Sequence, residues 1–226
     1  MQLVIGNKNY SSWSMRPWVL MKHFGLPFEE VKIPLDTFEP GSEFKQRIGA
    51  FSPAGRVPVL LDGDLAVWDS LAIAETLAEK FPQQALWPRD ARARARARSI
   101  CAEMHSGFGA LRSHFSMNIE ARLPEVGART LAEEPAARAD VERIVALWED
   151  ALAASGGPFL FGEFSIADAF YAPVVTRLQT YGLPAPASAT AYMARVLASP
   201  GVAAWVRDAL EEKHFLASAE PYRKAR

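Results

Sequence analysis

The chain has 226 residues, 50% of them hydrophobic and 23% charged, with a formal net charge of −1. That is the composition of a soluble globular protein with room for one large domain or two modest ones, and it gives no electrostatic reason to expect nucleic acid as a partner. A single cysteine, Cys101, excludes an internal disulfide and a cysteine-based metal cluster, and no apolar run approaches the roughly 18 residues of a membrane span.

The chain begins in a short strand pattern, Leu3-Val4-Ile5-Gly6, without the basic segment, apolar core and cleavage site of a secretory signal, so a cytoplasmic protein is expected. The stretch NYSSWSMRPWVLMKHF (9–24) follows. In it Pro17, Leu20, Met21 and Phe24 keep the i, i+3, i+4, i+7 spacing of a buried helical face. Pro17 suits a first turn, where its missing N–H removes no intrahelical bond. A helix starting near Ser14, capped by that residue, is therefore predicted. Ser11 and Ser12 are left in the loop before it, facing the free N–H groups and positive dipole end of the helix. Such a place holds an anion, a thiolate included.

Residues 28–35 read as a second strand, with Val31 and Ile33 on one face, and 41–48 as a short helix. RVPVLL (56–61) reads as a third strand opening with a proline, and Asp62-Gly63 signals a hairpin into a fourth, Leu65-Ala66-Val67. Asp69-Ser70 then caps a helix whose buried face is Ala74, Leu77, Ala78 and Phe81. The order strand-helix-strand-helix-strand-strand-helix predicts an α/β domain over 1–80, a small mixed sheet with helices packed on it.

The prolines of 81–88 mark a linker, and from 89 to 226 strand signals disappear in favour of an all-helical domain. A long helix is predicted from Asp90 to about Ile119, interrupted only at Gly107 and Gly109. The run ARARARAR (91–98) alternates like a strand, but alanine and arginine are both good helix formers. Its arginines then spread over a solvated or subunit-facing helix, a phosphate-binding role being the other reading. Further helices are expected at 135–154, with Val141, Ile144, Val145 and Trp148 inward, and at 165–181, mostly apolar and so central. Two more span 187–197 and 200–212, and the tail from Lys213 is expected to be partly ordered at best. Cys101 reads as a small buried apolar residue.

Together these pieces resemble the glutathione transferase superfamily, a thioredoxin-like domain with a four-stranded mixed sheet followed by a helical domain. The resemblance covers nearly the whole chain and rests on four motifs in order. NYSSWSMRPW is similar to the serine loop of the serine-type enzymes, the zeta class in particular, which has SSCSWR. GRVPVL resembles the segment carrying the cis-proline of the fold. WDSLAIAETL resembles the Glu/Gln-Ser-x-x-Ile motif at the glutamyl end of glutathione. FSIADAF resembles the Ser/Thr-x-x-Asp capping box of the helical domain, a structural role for Ser165 and Asp168.

The resemblance implies glutathione as co-substrate and a thiolate, held by hydrogen-bond donors and a helix dipole, as nucleophile. Ser11 matches the serine usually credited with that donation, and Ser12 shares the work; the alternative is that both only cap the helix. Trp13 replaces the zeta-class cysteine, either as a wall for an apolar electrophile or as packing at the domain interface. Val57, before a cis Pro58, would pair with the cysteinyl backbone as an added strand. Ser70 would hold the glutamyl carboxylate on a helix dipole and Asp69 the ammonium, although aspartate is one methylene shorter than the usual glutamate. Arg56 and Lys45 are further ligand candidates, Lys45 for the glycyl carboxylate, with solvation the alternative for both. A second-substrate pocket over the sulfur draws on Trp13, His105, Phe108, Arg112 and Arg177. No metal is implied, and a homodimer is. The implied activity is attack of the thiolate on a small electrophile. Glutathione-dependent cis-trans isomerisation is a rival that Trp13 argues against, and a non-catalytic protein-binding relative is another.

Overall fold

The computed structural model describes residues 1–37 and 39–226. Four strands, β1 (Gln2–Ile5), β2 (Glu29–Lys32), β3 (Val59–Asp62) and β4 (Leu65–Trp68), form one sheet in the order β2-β1-β3-β4. β1 and β2 are parallel, joined through α1 (Ser12–His23), while β3 runs antiparallel to both β1 and β4. Strand alternation sends Leu3, Ile5 and Leu60 to the face covered by α1 and α3 (Ser70–Lys80). Val4 and Val59 go to the other face, against Phe44 and Ile48 of α2 (Glu43–Gly49). This is the thioredoxin-like arrangement. β2 is shorter than the expected 28–35, because pairing with β1 ends at Lys32; Ile33 nonetheless stays buried.

A 3-10 turn (Pro82–Gln84) and the buried pair Leu86 and Trp87 connect to the helices. These are α4 (Ala91–Ser106), α5 (Gly109–His114), α6 (Pro124–Glu133), α7 (Pro135–Ser155), α8 (Ile166–Tyr181), α9 (Ala187–Ala198) and α10 (Pro200–Glu212). The predicted helix from 90 to 119 is two helices and a loop. It breaks where Gly107 brings its Cα against the Glu103 carbonyl, and Phe108 then takes a left-handed conformation at φ 55°. The arginines of α4 serve its surface: Arg98 pairs with Glu75 and Arg96 with Asp150, while Arg94 donates to the Pro88 carbonyl. α6 had no counterpart in the sequence reading; its signal was Pro124 at the first helical position.

α8 is the axis of the second half, buried on nearly every side as its apolar composition requires. The Ser165–Asp168 capping box forms. Asp168, fully buried, accepts from the Ser165 N–H and hydroxyl, the Leu160 N–H and the Tyr192 hydroxyl. Phe164, just before the capping box, stacks on His23 of α1 with centroids 3.9 Å apart. α10 lies against α1, at a contact where a Cβ on Gly201 would sit 2.3 Å from the Val19 carbonyl oxygen. Trp18 and Trp205 meet edge to face there, with the Lys8 ammonium over both rings and paired to Glu30 and Asp208.

The tail is a correction to expectation. Residues 213–226 fold back onto the β1–α1 loop, where buried Glu220 accepts from the Tyr10 hydroxyl at 2.7 Å and from Asn118 Nδ2 at 2.7 Å. Arg223 clasps Glu220 and Glu120. Composition alone did not mark this segment because its anchors, Tyr10 and Asn118, are more than 100 positions away.

Candidate active site

The site forms where three backbone features meet: the start of α1, the cis bond between Val57 and Pro58, and the start of α3. α1 begins two residues earlier than predicted. Ser11, not Ser14, is its N-cap residue, and no side chain caps it. Ser14 instead turns inward, accepting from the Gly6 N–H at 3.2 Å and the Ser11 hydroxyl at 2.7 Å. The helix therefore presents uncapped N–H groups at its positive end.

Two adjoining cavities open there. One, of about 480 Å³, is lined by Tyr10, Ser11, Ser12, Trp13, Leu35, Phe44, Lys45, Arg56 and Val57. The other, of about 300 Å³, adds Pro58, Trp68, Asp69, Ser70 and His105. They share Trp13, Arg56 and Val57. The structure thus collects in one cleft the predicted Ser11, Ser12, Trp13, Lys45, Arg56, Val57, Pro58, Asp69, Ser70 and His105. Val57 precedes the ladder of β3, which starts at Val59. Lys45 bridges to the Gly55 carbonyl at 2.8 Å. Asp69, held at φ 75°, accepts from the Leu71 N–H and lies 3.2 Å from His105 Nε2, and His105 in turn meets Trp13 edge-on.

The remaining candidates divide. Phe108 belongs to the core and lines neither cavity. Arg177, buried, donates to the Phe115 carbonyl, the Pro173 carbonyl and, at 3.2 Å, the Ser12 hydroxyl oxygen. Burial, with Arg112 nearby, pushes its pKa down to about 10. Arg112 donates to the Gly107 carbonyl and lies 6.0 Å from the Trp13 ring. Arg16, which the sequence reading passed over, is buried between the Trp13 and Phe170 rings and donates to Ser70 Oγ. Its signal was an arginine on an apolar helix with no acid three or four positions away on either side. Arg112 and Arg177, expected to line the pocket, line neither cavity, and nor does Arg16; they stand behind its wall, and among the described residues none of the three forms an ion pair. Cys101 is fully buried, which pushes its thiol up, away from nucleophilic use. No group of metal-ligating side chains assembles among the described residues, and no helix is long and apolar enough to cross a membrane.

Comparison with known proteins bears on the family and the fold. A family model described as "Glutathione S-transferase, N-terminal domain" matches residues 10–80, and one for the C-terminal domain matches residues 90–208. Glutathione S-transferase 1 of Dianthus caryophyllus is 29% identical over 186 residues, 81% of this chain and 80% of that protein. A zeta-class glutathione S-transferase of Euphorbia esula is 27% identical, covering 73% of this chain and 71% of that protein. Among solved structures, a glutathione transferase homolog from Burkholderia gl BGR1 with bound glutathione superposes with a TM-score of 0.70 at 27% identity, over 93% of this chain and 98% of that one. With both domains matched and in order, this chain belongs to the glutathione S-transferase family.

Proposed function

We propose that the chain binds glutathione in the cleft between α1, Val57–Pro58 and α3 and activates its thiol as the thiolate for attack on a small electrophile. The observation that carries this reading is the uncapped start of α1, opening into the cleft beside a serine hydroxyl that a buried guanidinium polarises. A free thiol ionises near pH 8.5, so little thiolate exists at neutral pH without help. Ser12 supplies that help directly: its oxygen accepts from Arg177, and its hydrogen is left to point at sulfur. Ser11 joins as a second donor once its hydroxyl turns from Ser14. The Val57 N–H and C=O take the cysteinyl backbone as an added strand. Ser70 and the start of α3 receive the glutamyl carboxylate, and Asp69 the ammonium. Lys45, with two N–H groups beyond its bond to Gly55, faces the glycyl carboxylate. The electrophile enters over Trp13, with His105 and Arg112 alongside.

The likeness to a zeta-class protein supports a second reaction at the same sulfur: reversible addition of the thiolate to a conjugated double bond, rotation, and elimination to the isomer. Trp13, in place of a cysteine, weighs against it. The reading includes a cytoplasmic homodimer built on the α4 face and on Leu65 and Trp68, which β4 leaves 53% and 45% exposed. A thermal-shift titration with glutathione and S-hexylglutathione, followed by a panel of electrophiles and a maleyl-type isomerisation substrate, tests the whole. Saturation at about 100 times Kd adds about 2.7 kcal/mol of stability. No shift at millimolar glutathione would overturn the reading.

A further inference from the structure

We propose that Arg16 is a positioning residue for the glutamyl carboxylate of glutathione, acting through Ser70: its guanidinium fixes the Ser70 hydroxyl from behind, so that the hydroxyl hydrogen faces the ligand with a buried positive charge in line. The proposal rests on the assignment of Ser70 to that carboxylate.

Arg16 is 3% exposed, in the middle of α1, and its surroundings are unlike those of Arg177. Arg177 satisfies its donors with two backbone carbonyls and a hydroxyl. Arg16 makes one hydrogen bond, from Nη1 to Ser70 Oγ at 3.3 Å, and its buried Nε has no partner among the described residues. The rings of Trp13 at 4.1 Å and Phe170 at 4.7 Å pack on the guanidinium and hold it without neutralising it. A buried charge held this way is costly unless something anionic completes it. No carboxylate of the described residues stands within ion-pair distance. Asp69, whose charge acts on it, is already engaged by the Leu71 N–H and His105. Burial, then repulsion from Arg177 and Arg112, drives the Arg16 pKa down to about 9.

Ser70 provides the other half. Its oxygen accepts from Arg16, and its hydrogen goes to no acceptor among the described residues. It is the first residue of α3 and lines the cleft, so a carboxylate there meets the hydroxyl hydrogen and the helix N–H groups together. A purely structural cation between two rings would not need a site hydroxyl as its single hydrogen-bond partner. The ligand carboxylate is the counter-charge that the described residues do not supply.

The test compares two ligands by calorimetry: glutathione, and γ-aminobutyryl-cysteinyl-glycine, which differs only in lacking the glutamyl carboxyl. Arg16→Gln should weaken glutathione by about 10- to 100-fold, the worth of a hydrogen bond to a charged group, and leave the decarboxy analogue unchanged. Ser70→Ala should show the same selectivity, and the double variant should lose no more than the larger single loss. Arg16→Lys, which keeps the charge and is the variant to read if the glutamine protein does not fold, should weaken glutathione less and again spare the analogue. Equal loss on both ligands, or none on either, overturns the proposal. Wild-type protein that binds neither ligand would sink the glutathione reading itself. Wild-type binding with an unselective Arg16 variant would sink only the role of Arg16.

Discussion

Ser12 keeps its hydroxyl hydrogen available because its oxygen is already an acceptor for Arg177, whereas Ser11 commits its own hydrogen to Ser14. The two serines should therefore differ. Ser12→Ala is expected to lower kcat/KM by about 100-fold, the usual effect of removing one donor from a developing or stabilised anion. Ser11→Ala should cost about 10-fold. With a donor gone the bound thiol titrates closer to its free value, so the acid limb of the pH–rate profile should move to higher pH in Ser12→Ala; an unmoved limb would count against thiolate stabilisation there. Spacing on a loop cannot separate adjacent hydroxyls; what separates them is where the helix starts, and a cap was predicted at Ser14. Motif resemblance supplied Val57, Pro58, Asp69 and Ser70. Tyr10 and Arg16 stand inside the first motif, but it gave them no role, because their partners, Glu220 for one and Ser70 and Phe170 for the other, lie far along the chain.

α10 reaches α1 through a glycine, and the contact is with main chain, which cannot swing aside. Gly201→Ala would place a Cβ 2.3 Å from the Val19 carbonyl oxygen, forcing the helices apart. A loss of about 2–3 kcal/mol is expected, or about 5–10 °C in Tm. Gly109→Ala, where a Cβ meets nothing within 4 Å, is the control and should be nearly neutral. Similar melting temperatures for the two would mean that the backbone contact between α1 and α10 does not restrict the site. Periodicity revealed most helices, because each buries one apolar stripe. It failed at 107–109, where a left-handed Phe108 breaks an apolar pattern that runs on unchanged. It also failed at α6, whose interior glycine packs against Tyr181 and reads locally as a breaker.

The C-terminal segment ties both halves of the chain to the cleft. Burial alone would raise the carboxyl of Glu220, but hydrogen bonds from Arg223, Tyr10 and Asn118 outweigh it and hold the group below its ordinary value of 4.5. A carboxylate with a depressed folded-state pKa contributes stability above its unfolded value, and that contribution is lost as pH falls through the folded value. The tail should therefore stay docked at neutral pH and loosen in acid, which hydrogen exchange at the Leu216 amide would detect, since that amide donates to the Tyr10 hydroxyl. Glu220→Gln should exchange fast there already at pH 7 and lose the acid dependence. Equal protection in variant and wild type would exclude Glu220 as the latch.

Every residue of α1 from Ser14 to Met21 is buried, and no single partner accounts for it: the sheet lies on one side, α8 and α10 on the others. The chain can be divided at a point along its backbone but not across its interior. Severed near residue 85, the first half would offer water the side of α1 that Trp205 and Phe170 now keep dry, and the second would be missing the wedge its own helices close around. Cohesion here belongs to a helix with two owners, so the cradle for the small molecule and the wall that faces it are obliged to stay together.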